Sequence, residues 1–146
     1  MIAQTIQLAL APVFMLVAIG NILNILSTRL GRVGDRSRHL QARYRDPQGS
    51  EHDMVVIEIR HADRRIALIG RALLLLVTSA VIIGLTVGLL FVEEIGGLNL
   101  QRVAAATFFV AVALLMIALL LFLHETRIAT AALRIPKDFL ELDRRL

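Results

Sequence analysis

The sequence predicts an all-α integral membrane protein with three transmembrane helices, the first two extended beyond the bilayer into a cytoplasmic antiparallel helical hairpin. Three observations carry that expectation. Apolar residues fill 57% of the 146 positions and mean hydropathy is +0.72. This is more than one soluble core of this size can bury, so the surplus needs lipid as its solvent. The apolar residues gather in three runs, each meeting the requirement of about 20 residues for about 30 Å of hydrocarbon. Basic residues are concentrated on the connections at one end of those runs, the asymmetry that sets membrane orientation.

The expected organisation is a single membrane domain over 1–146, with spans at about 6–28, 66–92 and 103–124, a hairpin at 29–65 and a C-terminal tail at 125–146. Span one has no positive charge before Arg29 and no small-residue cleavage site, so it reads as a retained helix rather than a signal peptide. Its polar residues Gln4, Gln7, Asn21 and Thr28 fall on a heptad-like stripe with Ala11, Phe14, Ala18 and Ile25, and Asn24 stands close by. Two readings of the stripe are open: amides that bond a neighbouring helix, or rings of amides around the axis of an oligomeric pore. Pro12 removes one backbone hydrogen bond and allows a bend near Leu8.

The connection from Arg29 to Arg65 is arginine-rich but keeps a helical period. Leu26, Leu30, Val33, Ser37, Leu40 and Tyr44 step by four and three, and so do Val55, Ile59, Ala62, Ile66, Ile69 and Leu73. Asp46-Pro47-Gln48-Gly49-Ser50 breaks the two series, with Ser50 and Asp53 in N-cap spacing. An antiparallel pairing that sets Leu40 against Ile59 and Val33 against Ile66 also sets Arg36 opposite Asp63 and Asp35 opposite Arg64. A flexible charged loop is the competing reading. Arg29, Arg32, Arg64 and Arg65 stand nearest the membrane and form an expected collar for anionic lipid.

Span two carries Arg71 about one turn inside its start, and two readings are open for it: snorkelling to lipid phosphate, or pairing with Glu125 at the end of span three or with Thr28 in the hairpin register. Gly84 with Gly88, and Thr107 with Ala111, have the small-residue spacing that allows close helix packing. Thr78, Ser79 and Thr86 are placed to bond back to their own helix carbonyls. Glu93-Glu94-Ile95-Gly96-Gly97 reads as a tight outer turn whose carboxylates are an acidic rim in an oligomer or ordinary interfacial charges in a monomer. Beyond Pro136, Phe139, Leu142 and Leu146 share one face of a short amphipathic helix suited to a membrane surface or a partner.

Orientation follows from counting. Nine arginines lie between 29 and 65 and five basic residues follow His124, while only Arg102 lies between spans two and three. The N-terminus is therefore expected outside the cytoplasm and the C-terminus inside it. The isoelectric point near 10.9 does not point to nucleic acid, because the positive charge flanks membrane-length apolar runs. The absence of cysteine excludes thiolate chemistry. No two of His39, His52, His61 and His124 form an i, i+4 pair with a supporting carboxylate, and no phosphate loop or nucleophile elbow is present. No catalytic residue, cofactor or metal ligand is expected.

The run Gln7-Leu8-Ala9-Leu10-Ala11-Pro12-Val13, followed by Arg29, Arg32, Asp35, Arg36, Arg38 and Leu40 and by Arg64-Arg65 before span two, resembles the DUF2721 family of small bacterial three-span membrane proteins. The resemblance covers nearly the whole chain and implies the topology, but supplies no activity. The expected function is a non-catalytic inner-membrane protein that self-associates or serves as an accessory structural subunit of a membrane complex. The alternative is an oligomeric ion channel lined by the first span. Expected partners are anionic membrane lipids and further protein chains, with no nucleic acid.

Overall fold

The computed structural model describes residues 2–45 and 50–132, in three α-helices: α1 (Ile2–Tyr44), α2 (Ser50–Gly96) and α3 (Gln101–Ala132). Each is long and apolar enough to cross a membrane. At about 1.5 Å per residue the 43 residues of α1 and 47 of α2 extend about 65 and 70 Å, twice what hydrocarbon needs. Their apolar sections therefore continue without a break into the arginine-rich sections. Pro12 lies inside α1, buried, and the helix is continuous through it. The helix proposed beyond Pro136, the turn at 46–49 and the Ser50 side chain lie outside the described residues.

One rhythm organises the burial. In α1 the buried residues are Thr5, Ala9, Pro12, Ile19, Leu26, Val33, Ser37 and Leu40, every step being three, four or seven. Two such lines run along α2. Ala62, Ile69, Leu76 and Ile83 lie on the line that carries the apolar period read from the sequence, while Ala72, Ser79 and Thr86 lie on a parallel line three residues away. A helix with two adjacent buried lines has two neighbours, and α2 is accordingly the middle helix. Both α1 and α3 pack along it and scarcely against one another.

The α2–α3 contact is built from small side chains. Ala104, Ala111 and Ala118 recur every seven residues of α3, each at most 2% exposed. They meet the line of Ala72, Ser79 and Thr86. Ser79 Oγ donates to the Ala111 carbonyl at 2.7 Å, and the Thr86 and Thr107 hydroxyls lie 2.9 Å apart. Without bulky side chains the two backbones approach closely, which is how helices gain van der Waals contact where no water drives them together. Ser79 thus bonds across helices instead of back to its own carbonyl, whereas Thr78 and Thr86 donate to Leu74 and Ile82 in the expected way.

Two further expectations are corrected. Gly84 and Gly88 are exposed, and a Cβ built on either meets nothing within 4 Å, so their spacing serves no contact among the described residues. The segment read as an outer turn is instead the last turn of α2. Glu93 and Glu94 are helical, Gly97 takes a left-handed φ of 63°, and its N–H bonds the Glu93 carbonyl at 3.0 Å. That is a helix stop which a residue without Cβ makes at no steric cost. Glu94, near the negative end of the α2 dipole, accepts a hydrogen bond from Thr5 Oγ1 at 3.0 Å, which joins the ends of α1 and α2.

Candidate functional site

The buried line of α3 continues by one more step of seven, from Ala118 to Glu125, and the fourth member is a carboxylate with 0% exposure. The facing line of α2 continues backwards by seven from Ala72 to Arg65. The register that puts Ser79 on Ala111 therefore puts Arg65 on Glu125. Arg65 Nε and Nη2 both donate to Glu125 Oε1, at 3.0 and 2.9 Å, and Arg29 Nη1 from α1 donates to Oε2 at 3.0 Å. All three helices are pinned at this one carboxylate.

Arg29 is itself positioned from α3. Its Nη1 lies 3.4 Å from Thr126 Oγ1, and its guanidinium carbon lies 5.0 Å from the centre of the Phe122 ring, within cation–π range. The carboxylate is fully enclosed, while the arginine side chains keep 34% and 27% of their exposure. A buried carboxylate is tolerable only with charge-assisted hydrogen bonds on both oxygens, and here each oxygen has at least one. The junction has one surplus positive charge, turned toward solvent.

Arg71 was one expected partner of Glu125; the other two arginines occupy that carboxylate. Arg71 is exposed and has no ion pair among the described residues. The physical reason is azimuth. Arg65, Ala72 and Ser79 share the line that faces α3, and Arg71, one residue before Ala72, is turned about 100° away from it. Thr28, the other residue named for Arg71, donates to the Asn24 carbonyl of its own helix at 2.9 Å.

The expected pairs between α1 and α2 change as well. Arg36 Nη2 donates to Glu58 Oε2 at 2.9 Å instead of to Asp63. Asp35, Asp63 and Arg64 are exposed and form no ion pair among the described residues. An antiparallel helix pair has a local twofold relation, so like flanks of the seam meet. Arg36 directly precedes the seam residue Ser37, and Glu58 directly precedes the seam residue Ile59. Asp63 follows the seam residue Ala62 and therefore leaves on the other side. The Tyr44 and His52 rings, 4.6 Å between centroids, close the far end of the pair.

Beyond Glu125 the three helices bound an open groove of about 940 Å³. All four residues of the expected lipid collar, Arg29, Arg32, Arg64 and Arg65, line it, together with Arg36, Glu58 and His61. The collar is therefore two pairs with different surroundings: Arg29 and Arg65 hold Glu125, while Arg32 and Arg64 have no acidic partner among the described residues.

The polar stripe of span one faces elsewhere. Gln4, Gln7, Asn21, Asn24 and Thr28 are all exposed, as are Ala11, Phe14, Ala18 and Ile25 between them. Gln7, Phe14, Asn21, Asn24 and Thr28 each stand two residues from a buried position, about 200° around the helix, and Gln4, Ala11, Ala18 and Ile25 stand one residue, about 100°, before Thr5, Pro12, Ile19 and Leu26. The stripe is thus the face of α1 opposite α2.

Sequence reasoning missed the three-helix junction although its signal was present, since carrying the Thr107–Ala111 line forward by sevens reaches Glu125. Residues 9–135, most of the chain, match the family model described as a protein of unknown function, DUF2721. No curated protein and no solved structure matches the chain.

Proposed function

The chain belongs to the DUF2721 family, and from that premise we propose that it is a non-catalytic protein of the bacterial inner membrane which self-associates through the outer face of α1 and so acts as a structural subunit. The N-terminus lies outside; the arginine-rich sections of α1 and α2 form a cytoplasmic hairpin, with the C-terminus on the same side. The excess of arginine on that side supports the orientation, and the anionic headgroups beside it are the expected lipid partners.

The observation that carries the reading is the outward stripe. Gln4, Gln7, Asn21 and Asn24 are exposed in the single chain, and in hydrocarbon an amide left without a partner is costly. A second copy offers the fitting partner, because an amide both donates and accepts and is complementary to itself. Phe14 and Ile25, 69% and 50% exposed between those amides, supply apolar contact on the same face. A pore is the second reading, favoured by one feature: Gln7, Asn21 and Thr28 are spaced by two heptads and then one along that stripe, so a closed ring of copies would line an axis with them.

The test is the oligomeric state of the full chain in lipid nanodiscs, measured by native mass spectrometry for the wild type and for Gln7→Leu/Asn21→Leu. An oligomer that dissociates in the double variant is the expected result. A wild-type monomer, or an oligomer indifferent to both substitutions, overturns the reading. Planar-bilayer recordings separate the two forms: conductance altered by Asn21→Leu assigns the pore, and a silent oligomer assigns the structural subunit.

A further inference from the structure

The groove beyond Glu125 has more cation than its own carboxylates can neutralise. Five arginines line it, against Glu58 in its wall and Glu125 beneath it. Three of the arginines are engaged: Arg29 and Arg65 by Glu125, and Arg36 by Glu58. Arg32 on α1 and Arg64 on α2 remain, both exposed, and both without an acidic partner among the described residues. Between the two helices, Val33, Leu40 and Ala62 give the groove a buried apolar floor. Uncompensated guanidinium groups around a concavity favour an anion, and the guanidinium fork matches the oxygens of a phosphate.

The height of the groove narrows the choice. Its lining begins at Arg29 on α1, ends at Arg65 on α2 and begins at Thr126 on α3. These positions are within two residues of where each apolar run stops or starts. All three boundaries lie at one level, which in a bilayer is the level of the headgroup phosphates.

We infer that this groove is a phosphate-ester site in which Arg32 and Arg64 hold the phosphate of an anionic phospholipid at the membrane end of the groove, with the lipid's chains running from there along the apolar sections of the helices. Only the membrane orientation is shared with the proposed function; self-association is not required. The site divides the arginine collar by role: Arg29 and Arg65 tie the helices together, and Arg32 and Arg64 bind. It also differs from a diffuse charge effect, in which every arginine on this side would count alike.

The experiment uses the full-length protein, delipidated in detergent and returned to nanodiscs of phosphatidylcholine alone or with phosphatidylglycerol. Retained lipid is read by native mass spectrometry and stability by thermal unfolding. The wild type is expected to retain phosphatidylglycerol selectively and to melt higher in its presence. Arg32→Gln/Arg64→Gln should weaken retention about 25-fold, at about fivefold per arginine, while Arg38→Gln/Arg43→Gln, which removes the same charge outside the groove, should leave it unchanged. Arg32→Lys/Arg64→Lys keeps the charge but loses the fork, and should fall between them. Equal losses from the two glutamine pairs would overturn the site in favour of general surface charge. A melting rise produced in phosphatidylcholine by millimolar inorganic phosphate, with no selective retention of phosphatidylglycerol, would overturn the lipid source. Oligomeric state recorded on the same samples keeps this outcome separate from the self-association test: loss of lipid with an unchanged oligomer is the expected pattern.

Discussion

Substituting Glu125 by Gln removes the charge that three helices share while nearly preserving the shape. Gln has one acceptor oxygen where the carboxylate has two, and its amide N–H groups face a guanidinium that cannot accept them. Three charge-assisted hydrogen bonds, at 2.9–3.0 Å, are affected. Breaking a buried ion pair by removing one partner costs about 3–5 kcal/mol. The low end applies here, because Arg29 and Arg65 keep 34% and 27% exposure and can turn into the groove to rehydrate. A loss of about 3 kcal/mol corresponds to a fall in Tm of about 10 °C for a chain of this length. With no tryptophan and one tyrosine in the sequence, the assay is loss of helical circular dichroism on heating in detergent. The double-mutant cycle of Arg65→Ala with Glu125→Gln should show coupling above about 1 kcal/mol, whereas Arg71→Ala with Glu125→Gln should be additive to within about 0.5 kcal/mol. An unchanged Tm for Glu125→Gln, or additivity in the Arg65 cycle, would refute the junction. Replacing all three members together by Leu or Met should recover most of the loss, since the desolvation cost disappears with the charges.

Two other substitutions probe the packing that delivers Glu125 to its partners. Ala111→Leu puts a large side chain into a position with 0% exposure and forces α3 away from the Ser79 hydroxyl; a loss of about 1–3 kcal/mol is expected from overpacking, read as a lower Tm, against no comparable change for Leu120→Ala at a site 60% exposed. Gly97→Ala meets no neighbour, so its cost is the left-handed backbone alone, about 1–2 kcal/mol, and proteolysis at 97–100 should accelerate with it.

The helices and the seam between α1 and α2 were legible in the sequence because each is a property of one helix at a time. Apolar length marks a span, and a step of three and four marks a face. Leu26, Val33 and Leu40 on α1, and Ala62 and Ile69 on α2, were read in that way and are buried. The pairs flanking the seam were not legible by the same means. Setting Leu40 against Ile59 and Val33 against Ile66 fixes how far along the axis two side chains lie, but not on which side of the seam each leaves, and Arg36 consequently meets Glu58 and not Asp63. Glu125 was harder again, because its environment depends on where a third helix sits around the other two. The information was in the spacing Ala104, Ala111, Ala118, Glu125, which reads as packing until its last member changes chemistry.

The burial rhythm of α1 runs from Thr5 to Leu40 without a break, although on the proposed topology it passes from lipid into water near Arg29. One seam is then held by two kinds of force. In hydrocarbon, apolar side chains gain nothing by leaving their solvent, so the stretch from Thr5 to Leu26 rests on shape and a few hydrogen bonds. In water, Val33 and Leu40 are driven against α2 by the hydrophobic effect, which weakens on cooling. The two halves of a single helix pair should therefore loosen at opposite ends of the temperature scale, with the Glu125 junction at the crossing point.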